Sequence, residues 1–391
     1  MSDSQRPAPT SSHDATAMTC THRPPCSGCP RFGEPGIAAT ALATLEQLAA
    51  THATPPVGIV CGPAAAFRLR SRLAIRGRLG SPKIGLFEAG SHRVVHVPNC
   101  RVHHPLINRV AAVVRRALVE TQTTCYSDKA HLGIARHLQV VVERESQRTQ
   151  VVLVGNCESA EPLASCLDLI RTRLGDDLHS LWFNANTGLS NVILGTTFQR
   201  WCGPPSVIEH FGGPAVHYPP GAFGQSNLAI GERIIEHVRA LIPPGAAVTE
   251  CFAGVGAIGL SVLERAGRLV MNEISPASLE GMRLGLEGLS DAQRAKVTVV
   301  PGPAAEMLDA AAGAQVVILD PPRKGLDERM AAQLAQLEPP KLIYVSCGLE
   351  SLVADTARLT VSGRLRLTQL TAFDLLPFTE HVETVAVFEA R

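Results

Sequence analysis

From about residue 226 onward the apolar positions fall into two alternating rhythms. Continuous runs at 247–251, 268–271, 296–300, 315–319 and 341–345 read as short buried strands. Between them apolar residues recur every three to four positions, which predicts helices; one carries Leu349, Leu352, Val353 and Leu359 on a single side. Two more strand-like runs, 364–370 and 382–388, follow the last helix. Five strands separated by helices and then a strand pair predict a doubly wound, Rossmann-like α/β sheet with an antiparallel edge, preceded by a helix over about 226–241.

Before Pro219-Pro220-Gly221 the rhythm is different. Strand-like runs at 67–76, 93–97, 138–144 and 150–156 are broken by Gly and Pro, and helical periodicity appears at 37–50, 104–120 and 162–174. This reads as an α+β region with antiparallel character. The expected division is a disordered polar tail over 1–19, the α+β region over 20–220 and the doubly wound domain over 221–391.

Composition narrows the partners. With 45% hydrophobic and 18% charged residues the chain is of ordinary globular type, and no run of about eighteen apolar residues is present to cross a membrane. The first nineteen residues lack the apolar segment of a signal peptide, so a cytoplasmic location is expected. Eleven cysteines without an export signal argue for free thiols, metal ligands or catalysis over disulfides. A net charge of +1 hides an asymmetry: between Val57 and Val140 thirteen Arg or Lys stand against three Asp or Glu. Arginine outnumbers lysine throughout, 31 to 5, so part of that excess follows general codon usage; the remainder points to RNA or DNA.

Three motifs carry chemistry. The first strand of the doubly wound domain runs into Glu250-Cys251-Phe252-Ala253-Gly254-Val255-Gly256-Ala257-Ile258-Gly259, where glycines let the backbone turn tightly against a ligand. That spacing serves NAD and S-adenosylmethionine equally, and Glu273, ending the second strand, is placed to meet the ribose hydroxyls of either. The fourth strand decides between them. It leads into Asp320-Pro321-Pro322-Arg323-Lys324-Gly325, where two prolines stiffen the loop and leave a carboxylate and carbonyls facing a planar substrate edge, a use no dehydrogenase has. The fifth strand ends in Ser346-Cys347-Gly348, which puts a thiol at the ligand-binding end of the sheet and close to a helix start, where the dipole favours thiolate.

With D-P-P-R-K-G, Y-V-S-C and the late P-F-T-E-H-V-E-T-V-A, the sequence resembles the RNA uracil-5-methyltransferase family, from Cys20 onward. Phe223-Gly224-Gln225-Ser226-Asn227 matches the family's F-x-Q-x-N. The resemblance implies S-adenosylmethionine held around Gln225, Phe252, Gly254, Gly256, Glu273 and Asp320. It implies Cys347 as the nucleophile that adds to C6 of uracil, and Glu383 as the base that removes the C5 proton after methyl transfer. Many relatives have S-C-N where this chain has Ser346-Cys347-Gly348, which removes an amide able to fix the loop. Ala257 stands where some tRNA enzymes carry asparagine.

Cys20, Cys26 and Cys29 form a three-thiol cluster that needs a fourth ligand; by the residues alone zinc and an iron–sulfur cluster fit equally. The resemblance supplies Cys100 and favours [4Fe-4S]. It also implies RNA as partner, with 23S rRNA of the branch lacking an N-terminal β-barrel as the expected target and tRNA position 54 as the alternative. The oligomeric state is left open, with a monomer expected. Outside this class stand an NAD-dependent oxidoreductase, resting on the glycine spacing alone, and a non-catalytic iron–sulfur RNA-binding protein.

Overall fold

The computed structural model describes residues 19–306 and 313–391; the expected disordered tail therefore lies, but for its last residue, outside the described residues. The chain begins with the cysteine-bearing loops, then α1 (Ala39–Thr51) and β1 (Gly58–Val60). Next come β2 (Arg70–Arg78), β3 (Ser81–Phe87), β4 (Val94–His96), α2 (Pro105–Glu120), β5 (Ala135–Val142), β6 (Thr149–Gly155), α3 (Ala164–Leu174), β7 (Leu178–Ala185) and β8 (Thr197–Cys202). Strands β2 to β8 make one seven-stranded sheet in the order β4-β3-β2-β5-β6-β7-β8, antiparallel except for β6 with β7. Helix α2 shows why this half folds as it does. Pro105 starts it, the His104 ring accepts from the Leu106 amide at 3.4 Å, and Ile107, Val110, Ala111, Val114, Ala117 and Leu118 recur on one buried face. That face packs with α3 on the apolar side of the sheet, each fully buried Leu or Ile contributing roughly 1.5–3 kcal/mol.

A two-stranded ribbon, β9 (Val207–Glu209) and β10 (Val216–Tyr218), leads into the second half. It contains α4 (Leu228–Ala240), β11 (Ala246–Cys251), α5 (Ala257–Val262), β12 (Ala266–Glu273), α6 (Pro276–Glu287), α7 (Asp291–Arg294), β13 (Val297–Pro301), β14 (Val316–Leu319), α8 (Glu328–Leu337), β15 (Lys341–Ser346), α9 (Leu349–Thr360), β16 (Leu365–Phe373) and β17 (Glu383–Ala390). These strands and β1 form an eight-stranded sheet in the order β1-β16-β17-β15-β14-β11-β12-β13. Every expected strand of this half is present within a few residues. The strand order reverses between β11 and β14, and in such sheets that switch point opens the crevice for a ligand at the carboxyl ends of the strands.

Two expectations change. The antiparallel strand is not at the edge: β17 runs antiparallel between β15 and β16, and β1 covers the outer side of β16 in parallel, Gly58 opposite Thr371 and Val60 opposite Phe373. Helix α1 packs Leu45 and Leu48 into the same core layer as Leu352, Leu359 and Leu370. Residues 38–60, placed by sequence in the N-terminal region, thus complete the second sheet; a three-residue strand is too short to announce its partner. Arg144, in the turn between β5 and β6, pairs at 2.6 Å with both Glu209 of β9 and Glu232 of α4, tying the halves together.

Candidate active site and cysteine wall

One cavity of about 1120 Å³ runs from the carboxyl ends of β11, β12, β14 and β15 to the cysteine loops. Gln225, Phe252, Gly254, Glu273, Asp320, Cys347 and Glu383 all line it. Gly256 does not: it sits beneath, in the left-handed conformation (φ 84°) that starts α5. The turn that shapes the cofactor end is tight enough that Phe252 also takes a left-handed backbone (φ 62°), unusual for an aromatic residue and characteristic of ligand sites. Gly254 (φ 59°) points its amide back to Glu273 Oε2 at 2.7 Å, while Glu273 Oε1 accepts from the amides of Ile274 (2.9 Å) and Ser275 (2.6 Å). These bonds fix the carboxylate at the end of β12 and leave it lone pairs for a ligand.

Sequence reasoning missed three residues here. Glu250, last but one in β11, is fully buried on the cavity wall, and its Oε2 has no hydrogen-bond partner among the described residues. Burial, then Asp320, then Glu273 push its carboxyl well above the ordinary range, against one amide from Gly259. A charged residue closing an otherwise apolar strand was the available signal. Asn227 is wholly buried: its side chain caps α4 by accepting from Ile230 N and donates to Leu375 O at 3.0 Å, so it joins the F-x-Q-x-N segment to the loop ahead of β17. Arg323 lies beside both Cys347 and Glu383 and lowers the pKa of each.

The thiol end departs from expectation. Cys347 is half-buried at the mouth of β15, and its pKa is pushed up to about 11, first by burial and then by Glu383 and Asp320. The expected thiolate is therefore a thiol at neutral pH: two carboxyl groups and a dry wall outweigh a helix terminus. Asp320 is raised to about 7 by burial. Glu383, 4% exposed, is raised to about 8 by burial and Asp320, and its Oε1 is unpartnered among the described residues. Gly348 proves to be a packing requirement. A Cβ there would lie 2.6 Å from the Arg323 carbonyl, inside van der Waals contact. Ser346 and Ser351 hydroxyls donate to the Gly348 carbonyl at 3.0 and 2.8 Å and hold the loop there.

Cys20, Cys26, Cys29 and Cys100 line the far end of the same cavity. The Gly28 amide donates to Cys26 Sγ at 3.5 Å; burial pushes the Cys100 thiol up, and the amides of Val102 and His103 that bond to it oppose that shift. Cys29 is pushed up to about 11 by burial and by Cys100, Cys26 and Cys20, with Arg68 opposing. Among the described residues, however, no three His, Cys, Asp or Glu side chains are gathered closely enough to hold a metal ion. The expected closed four-thiolate site is not supported by this spacing; the donor chemistry fits, the distances as they stand do not. None of the eleven cysteines is in a disulfide, and no helix of the described residues is long and apolar enough to cross a membrane.

Residues 282–391 match the family model described as tRNA (Uracil-5-)-methyltransferase. An uncharacterized RNA methyltransferase of Protochlamydia amoebophila is 34% identical over 381 residues, 95% of this chain and 98% of that protein. One of Listeria monocytogenes is 29% identical over 336 residues, 83% of this chain and 72% of its own length. Among solved structures, the Pyrococcus abyssi tRNA (uracil-54, C5)-methyltransferase in complex with S-adenosyl-L-homocysteine superposes with a TM-score of 0.74 at 21% identity, covering 89% of this chain and 83% of that one.

Proposed function

The chain belongs to the S-adenosylmethionine-dependent RNA (uracil-5-)-methyltransferase family, and we propose that it forms 5-methyluridine in 23S rRNA through covalent addition of Cys347. The observation that carries the mechanism is the meeting of a thiol, a raised carboxyl and the D-P-P loop in one cavity with the glycine turn. C5 of uracil is a weak nucleophile until a thiolate adds to C6, which turns the ring into an enolate. S-adenosylmethionine, held between the glycine turn and Asp320, supplies the methyl group that this enolate takes.

Cys347 must lose its proton to add. Asp320 and Glu383 share its pocket and titrate near neutrality, so one carboxylate can take the thiol proton while the other is left for the ring. Glu383, as base, then removes the C5 proton; the C5–C6 double bond reforms, the C6–S bond breaks and the thiolate leaves. The target uridine must be unstacked to reach this recess, since C5 and C6 are shielded from a thiol inside a helix.

By the resemblance the four thiols would take [4Fe-4S] in preference to zinc; their shared wall, their amide donors and the Arg68 charge beside them suit the donor set, but the thiols must draw closer than they stand to enclose a cluster, which would then shape the RNA-binding end of the cavity. Iron and sulfide in anaerobically purified protein support it, and zinc alone overturns it. The segmental reading of a tail (1–19), a cysteine and RNA-binding region (20–220) and a methyltransferase domain (221–391) is kept with residues 38–60 transferred to the last. The second target, tRNA, has its own support in the matched family's description, whereas Ala257 favours rRNA. Nucleoside mass spectrometry of separated tRNA and 23S rRNA from a deletion strain tests the choice: 5-methyluridine lost from tRNA alone overturns the rRNA assignment.

A further inference from the structure

Glu383 is the first residue of β17, paired across the hairpin with Phe373, the last of β16. The loop between them, 374–382, therefore sets where the carboxyl stands. At its apex Phe378 holds a left-handed backbone (φ 66°) while only 3% exposed. A bulky residue keeps such a conformation only when its surroundings impose it. Those surroundings come from the segment after the third cysteine. The Arg31 amide donates to the Phe378 carbonyl at 2.9 Å, and Arg31 Nη1 donates to the Thr379 carbonyl at 3.1 Å. The Phe32 ring packs on Phe378 with centroids 5.2 Å apart, and Cys29, Cys100 and Leu376 close the same apolar cluster. Arg31 also faces Glu380 at 3.8 Å. Contacts separated by nearly the whole chain thus converge on a loop five residues ahead of the carboxyl.

We propose that Arg31 and Phe32 are positioning residues for proton removal: they clamp Phe378 and thereby fix the loop that delivers Glu383 to C5 of the substrate. This rests on the reading of Glu383 as base. It also gives the cysteine loops a task that needs no electron transfer, since whatever orders Cys29 orders the two residues behind it. Misplacing a base by about 1 Å costs on the order of 10²-fold in rate, so the effect should fall on one step.

The test separates that step from those before it. Bulk RNA from the deletion strain is incubated with methyl-tritiated S-adenosylmethionine, and labelled protein–RNA adduct is measured on denaturing gels beside released 5-methyluridine. For Arg31→Ala and Phe32→Ala we expect adduct to accumulate on ordinary uridine, product release to fall ten-fold or more, and cofactor affinity to stay unchanged. Arg31→Lys, which keeps one donor, should recover part of the release; Phe32→Leu keeps the packing volume should Phe32→Ala fail to fold. Glu383→Gln is the reference. If it accumulates adduct and the Arg31 and Phe32 variants do not, the clamp is wrong. If Glu383→Gln itself accumulates none, the base assignment falls and the clamp falls with it.

Discussion

Cys347 and Cys29 are both partly buried thiols on the wall of one cavity, and burial pushes each up to about 11. Their neighbours differ. Cys347 faces two carboxyl groups that exchange protons near neutrality and Arg323, whose positive charge opposes the upward shift; Cys29 faces three further thiols and Arg68. The same side chain with the same raised pKa is thus set among proton carriers in one place and among potential co-ligands in the other. Burial raises the thiol in both regions, as it does the core Cys166, so only the identity of the neighbours tells them apart.

The largest break in the comparison is Cys347→Ala. It should abolish the covalent adduct with 5-fluorouridine RNA and lower methylation by about 10⁴-fold or more, whereas Cys29→Ser should still form adduct, lose any bound metal and melt several degrees lower. Equal adduct loss in the two variants would erase the distinction. Glu383→Gln comes next, with turnover down about 10²–10⁴-fold and unchanged binding of S-adenosylhomocysteine by calorimetry. Gly348→Asn should cost about ten-fold in kcat/KM by pushing the Arg323 carbonyl away from the nucleophile; a neutral result would deny that contact.

The smallest effect is on stability. Asp320 and Glu383 hold protons more tightly folded than unfolded, so the fold gains most below the ordinary carboxylate range and loses stability as pH rises through about 7 and 8. Melting followed from pH 5 to 9 should fall less steeply for Glu383→Gln than for the parent chain, with a gap of a few degrees at pH 9. The kcat/KM profile runs the other way, rising toward pH 8 as the pair, titrating jointly, gives up its proton.

The doubly wound half was legible because buried parallel strands are continuous apolar runs, so β11, β12, β14 and β15 stand out in the text. The antiparallel half was legible in outline through α2 and α3. What escaped reading depends on contacts between distant residues. Strand β1 is three residues long and means nothing without β16. The thiol state of Cys347 is set by burial and then by Glu383 and Asp320, which sequence places at the ends of different strands. Gly348 looked like a loss because the Arg323 carbonyl that demands it lies on another loop.

The pairing of Gly58–Val60 with Thr371–Phe373 also bears on how the molecule is made. Its edge strand leaves the ribosome roughly 300 residues before its partner, which at about 5–20 residues per second is a wait of roughly 15–60 s. Until then neither the nucleophile's sheet nor the hairpin that ends at Glu383 can close, so a nascent chain lacking β16 carries the N-terminal cysteines without a working site. Activity is withheld until β15, β16 and β17 have all emerged.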